Sequence, residues 1–114
     1  MTDLSALETF KKCVLDPERE DAAKRLADPG YWGDTGKAVL RAIGYVEVAI
    51  DKTPYERFTD LSEWLERVQR AVETAHGRYR EDEEDEDGYG SATFHACLRR
   101  ISEFREYVSG PAAG

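Results

Sequence analysis

Seven consecutive carboxylates, Glu81-Asp82-Glu83-Glu84-Asp85-Glu86-Asp87, constrain this chain more than any other feature. Like charges at such short spacing repel one another, resist folding and attract basic surfaces. The run therefore belongs at the surface, between the elements that flank it. The 114 residues include 24 acids against 16 Lys and Arg, for a formal charge of -8; without those seven acids the remainder is nearly neutral. The acidity is one concentrated block, not a property of the whole surface.

A chain of this length fits one domain with one core. Segments such as Leu61 to Val72 carry enough Leu, Val and Trp to argue against global disorder. No apolar stretch approaches the ~20 residues that a membrane span needs. Met1-Thr2-Asp3-Leu4 lacks the basic and apolar regions of a secretory signal, so a cytoplasmic protein is expected. Cys13 and Cys97 stand apart on expected apolar helix faces and read as two buried, reduced thiols. Direct binding to DNA or RNA is disfavoured, because no basic cluster exists and the acidic run would repel phosphate.

Apolar spacing predicts helices throughout. Leu4, Leu7, Phe10 and Val14 form one stripe. Asp16-Pro17 is expected to end that helix and start another carrying Ala22, Ala23 and Leu26, which stops at Asp28-Pro29-Gly30. Tyr31 to Gly36 reads as a loop, with Asp34 or Thr35 capping the next helix. Val39, Ile43, Val46 and Ile50 have helical spacing, whereas Tyr45 to Asp51 also alternates like a strand. Helix is the better reading, because no second segment offers that strand a partner. Thr53-Pro54-Tyr55-Glu56 is a capping box, and Thr59 with Asp60 and Glu63 is a second start for the same helix. Phe58, Leu61, Leu65, Val68, Val72 and Ala75 then form the clearest stripe, heptad-like in pattern, with Gly77 suited to its end. Ser91 can cap a last helix holding Phe94, Cys97, Leu98, Ile101, Phe104 and Val108. The expected architecture is all-α: one domain over 1–109, a compact bundle of four or five helices with an acidic interhelical loop at 81–90, and a disordered tail at 110–114.

Candidate chemistries fall short one by one. Glu83-x-Asp85-x-Asp87-Gly88 echoes the start of an EF-hand, but that register places Phe94 where a bidentate glutamate is required. Glu73-x-x-His76 has the spacing of a di-iron motif; the second copy is missing, because Ala92 stands three positions before His95. His95 and Cys97 face different sides of a helix and have no second ligand pair. Gly88-Tyr89-Gly90-Ser91 is not a nucleophile elbow, and Thr93 interrupts any dinucleotide fingerprint. No catalytic residue, metal or cofactor follows from the sequence, and an enzyme is not expected.

What remains is interaction. The acidic run reads either as a solvated linker or as an electrostatic docking segment for a basic partner. The candidate partner-binding residues are Glu81, Asp82, Glu83, Glu84, Asp85, Glu86 and Asp87, with Tyr89 beside them and Trp32 as an addition. An aromatic next to acids can stack on an arginine while the carboxylates pair with its neighbours. The expectation is a small acidic module that occupies a basic, nucleic-acid-binding surface of a partner protein, as anti-defence and immunity proteins do, an analogy of charge and size alone. The alternative is a structural subunit whose 58–75 helix forms a homodimer or partner interface.

Overall fold

The computed structural model describes residues 4–54, 61–83 and 88–113. They form α1 (Leu4–Leu26), α2 (Tyr31–Asp51), α3 (Leu61–Asp82) and α4 (Tyr89–Ala113). The chain is an all-α, four-helix bundle. Each helix exceeds 20 residues and is thus at least ~30 Å long. An envelope of 47 × 28 × 26 Å accommodates them side by side, two by two. α2 packs against α1, α3 and α4, and α4 also meets α1. Among the described residues, no helix is long and apolar enough to cross a membrane.

The core follows the apolar stripes. Val39, Ile43, Val46 and Ile50 of α2 are buried against Leu65, Val68 and Val72 of α3 and Phe94, Cys97 and Ile101 of α4. Phe10 of α1 meets Trp64 edge-on at 5.1 Å and Phe104 at 5.4 Å. Such contacts add to the area that the rings bury. The Trp64 Nε1–H donates to the Thr53 carbonyl at 2.6 Å, so its polar atom is satisfied inside the core. The Tyr45–Asp51 segment is helical, within α2.

Pro17 does not divide the first helix; it lies inside α1. A proline within a helix removes one backbone bond and costs about 3 kcal/mol. Tertiary contacts on both sides offset that cost. Val14 and Leu15 before it, and Ala22 after it, are fully buried. The Val14 carbonyl, in the turn preceding the proline, accepts from Arg100 Nη1 at 3.3 Å and Cys97 Sγ at 3.8 Å. Arg100 also pairs with Glu18 at 3.6 Å. α4 thus closes over the proline turn, and four helices stand where a fifth was an option.

Other helix ends move for comparable reasons. Tyr31 to Gly36 is the first turn and a half of α2, not a loop. Gly33 and Gly36 are close-packing positions: a Cβ at Gly33 would overlap the Asp28 carbonyl, and one at Gly36 would lie 3.0 Å from the Ala22 carbonyl. Thr35 is inside the helix, donating to the Trp32 carbonyl at 2.7 Å. α3 begins at Leu61, near the later of the two expected starts; residues 55–60, including most of the capping box, lie outside the described residues. It then passes through Gly77, because Tyr79 beyond it is fully buried. α4 begins at Tyr89, two residues before the expected Ser91 cap, and continues through Ala113, beyond the expected boundary at Gly110.

One thiol differs from expectation. Cys97 is buried, and burial pushes its pKa up to about 12, with the Glu18 charge adding to the shift. Cys13 is exposed, because it falls beside the Phe10–Val14 stripe and not on it. In the native protein, DTNB should therefore titrate Cys13 alone, with Cys97 reacting only after denaturation. A second prediction concerns Gly90, whose missing side chain makes room for the Tyr79 hydroxyl. Gly90→Ala should destabilise the fold by about 1–3 kcal/mol in urea titration.

Candidate functional site

The 27–30 link, the end of α3 and the start of α4 lie toward the same end of the bundle, as the up-down course of the helices requires. The two helices beside the acidic link are offset along α2. Asp82 and Glu83 reach Tyr45 and Arg41, so α3 ends level with the middle of α2. Tyr89 reaches Trp32, so α4 begins level with the start of α2. The acidic link joins these two levels.

Trp32 and Tyr89, both singled out from sequence, come together in space. Their ring centroids are 6.2 Å apart, and Tyr31 completes a triangle at 6.1 Å from Trp32 and 6.2 Å from Tyr89. Arg25, from the last turn of α1, occupies the centre: its Cζ is 4.9 Å from both the Trp32 and Tyr89 centroids. Flat guanidinium groups stack favourably on such rings. Arg25 Nε donates to Asp21 at 2.7 Å and Nη1 to Thr35 Oγ1 at 3.0 Å, which hold the group in place. The aromatics are not a closed lid on the core, since Tyr31 remains 54% exposed and Trp32 47%. Arg25 carried no signal in the sequence, because a cation between two rings is created only by the meeting of three helices.

The acids divide into two groups. Glu81 and Asp82 close α3 and are exposed, and Glu83 follows immediately. Glu84, Asp85, Glu86 and Asp87 lie outside the described residues. Tyr45 Oη donates to Asp82 Oδ2 at 3.2 Å. Lost solvation first, then the Asp82 charge and this hydrogen bond, raise the Tyr45 pKa, and Glu83 adds to the effect. Glu83 also pairs with Arg41 at 3.6 Å. The cation that folds against the run is thus Arg41; Arg78 and Arg80, the nearest candidates in sequence, make no ion pair among the described residues. Glu81 is left facing solvent.

The chain's two histidines also meet. His76 stacks on Phe94 at 4.7 Å, and its centroid is 5.3 Å from that of His95. His76 Nε2 is 3.0 Å from Ser91 Oγ, in a shallow cleft lined by Arg80, Gly88 and His95. A serine and a histidine at this distance are two members of a nucleophile–base arrangement. The nearest sequence candidate for the orienting carboxylate, Glu73, turns instead to Gln69 at 3.5 Å. No group of three or more His, Cys, Asp or Glu suited to a metal occurs among the described residues. Trp64 is 1% exposed and belongs to the core.

The aromatic cluster has a direct test. Arg25→Ala should cost about 1–2 kcal/mol, from the lost stacking and the hydrogen bond to buried Thr35. It should increase acrylamide quenching of Trp32 while Trp64 stays protected, measured with each tryptophan alone in a single-Trp background. Comparison of the chain with protein-family models, curated proteins and solved structures yields no match, so its function rests on its own residues.

Proposed function

We propose that the protein is a small binding module whose acidic, aromatic end occupies a basic, nucleic-acid-binding surface of a partner protein. The supporting observation is the junction at one end of the bundle. The acidic link there is followed immediately by Tyr89, which shares a cluster with half-exposed Tyr31 and Trp32. Aromatic and arginine side chains are the usual anchors of protein interfaces. The concentrated charge would steer a basic groove into contact, and the rings would hold it. Asp82 and Glu83 already have partners within the chain, so Glu81 and the acids after Glu83 carry the steering. The protein acts by occupancy, in the manner of a small inhibitor or decoy, and without catalysis. A cytoplasmic setting goes with this reading, and two unbridged cysteines are in keeping with a reducing compartment.

Assembly through the 58–75 stripe is the less favoured reading. Leu65, Val68 and Val72 are completely buried within the chain's own bundle, so that seam is not available to a second chain.

The test compares wild type with a variant in which residues 81–87 are replaced by Gln and Asn, and with Tyr31→Ala/Trp32→Ala. Affinity capture from native lysate identifies a partner, and stopped-flow then measures association with the purified protein. Neutralising the run should lower the association rate about 10–100-fold at low salt and flatten its salt dependence. The aromatic variant should mainly raise the dissociation rate. Equal capture by wild type and the neutralised variant would reduce the acids to a solvated linker.

A further inference from the structure

A broad concavity lies between the outer faces of α2 and α3 and reaches the acidic run at Asp82. Arg41, Gly44, Tyr45, Val48 and Ala49 of α2, with Lys52 just after its end, line one side. Ala71, Thr74, Ala75, Arg78 and Asp82 line the other side from α3, likewise at the spacing of one helix face. Two antiparallel helices that present such faces leave a groove between them, here of about 690 Å³. The floor is small and apolar, and Val48 stands in it 51% exposed.

The charges of α2 are sorted about this groove. Its acids Glu47 and Asp51 turn toward α1, where they pair with Arg19 and Lys11. Arg41 of α2 and Lys52, just past its end, border the groove, joined by Arg78 from α3, while Asp34 and Lys37 near the start of α2 pair with each other away from it. Arg41 is engaged by Glu83, whereas Lys52 and Arg78 have no acidic partner among the described residues. The one carboxylate on the rim, Asp82, accepts from Tyr45. A protein of formal charge -8 thus has an apolar groove bordered by cations.

We propose that this groove is a docking site for an amphipathic helix of a partner protein, with a small apolar face and Glu or Asp on its flanks. Arg41 to Lys52 spans about 16 Å along α2, equal to three turns of a docked helix. The cations identify the occupant's flanks. A second copy of this chain fits poorly: a two-fold axis between Tyr45 and Val48 would set Arg41 of one copy against Lys52 of the other, like facing like. Gly44 adds a separate indication. A Cβ there would meet nothing within 4 Å, so packing inside the chain does not require glycine in the middle of α2. Glycine weakens a helix and permits close approach of another backbone, and this one faces the groove.

The probe is a fluorescein-labelled 16-residue peptide with an Ala/Leu face and Glu flanks, tested alongside its Lys-flanked counterpart. Anisotropy gives the affinity and amide chemical shifts of the full chain give the location, with residues 84–87 native or neutralised and Asp82 and Glu83, which touch the groove, kept. The Glu peptide should bind saturably, shift α2 and α3 groove residues, and weaken with salt, whether residues 84–87 are native or neutralised. The last condition separates this site from the acidic end. Lys52→Glu/Arg78→Glu should weaken binding at least tenfold, and Gly44→Leu should abolish it. Gly77→Ala is the matched control, since Gly77 is equally open but outside the groove; it should raise the Tm and leave binding unchanged. Absence of saturable binding would overturn the proposal, as would indifference to the charge reversals. Displacement of the peptide by laurate at equal concentration would reassign the groove to a small amphiphile. A concentration-dependent dimer, lost in Val48→Glu, would reassign it to a second copy.

Discussion

Burial of Tyr79 is the constraint on which the arrangement of this molecule depends. Its ring lies 5.4 Å from Tyr45 of α2 and 5.3 Å from Phe94 of α4, at the junction of three helices. The side chain is 1% exposed, and its hydroxyl occupies the space that Gly90 leaves free. One residue therefore carries α3 past Gly77, sets the level at which α3 ends on α2, and fixes the start of α4. The offset between these ends follows from it, and with that offset the endpoints of the acidic link. The favourable term is large because an aromatic ring buries 150–250 Å², roughly, and its edge-on partners add to that. A glycine in mid-helix costs about 1 kcal/mol at most, and the ring outweighs it.

Charge is distributed as deliberately as apolar surface. Acids and bases on the facing flanks of α1 and α2 pair across the gap, which leaves α2 with cations on its other flank. Exposed pairs of this kind contribute little to stability, about 0–1 kcal/mol each. Their consequence is electrostatic pattern. One end of the bundle is strongly acidic with aromatic neighbours, and one side is a cationic groove. The two surfaces approach each other at Arg41, which borders the groove and also pairs with Glu83 of the run. The Arg41–Glu83 pair thus joins the groove's rim to the acidic run.

Much of the fold was legible in the sequence, and less of the candidate sites. Helical periodicity is a local property: spacings of three and four residues in Val39 to Ile50 and Leu61 to Val72 define buried faces whatever those faces meet. The all-α class and the helical nature of Tyr45–Asp51 follow from it; the expected loop at 81–90 is too long at both ends, since Glu81 and Asp82 close α3 and Tyr89 and Gly90 open α4. The exposure of Glu81 and Asp82 follows from charge alone, since adjacent carboxylates resist entering a core.

Tertiary structure decided everything that depends on residues distant in the chain. Pro17 reads locally as a break, and the tertiary packing of Val14, Leu15 and Ala22 on either side, with Arg100 and Cys97 of α4 closing on the Val14 carbonyl, offsets its cost. Gly33 and Gly36 read as loop glycines, yet their function is to let α1 and α2 backbones touch. Cys13 reads as buried from its neighbours, and a rotation of one residue about the helix axis puts it in solvent. Trp32 and Tyr89 were each visible as candidates, but their meeting around Arg25 was not. The groove, too, exists only because two separate helices present such faces side by side. Sequence spacing determines which face of each helix is apolar. Which faces meet, and what lies open between them, is decided when the helices pack.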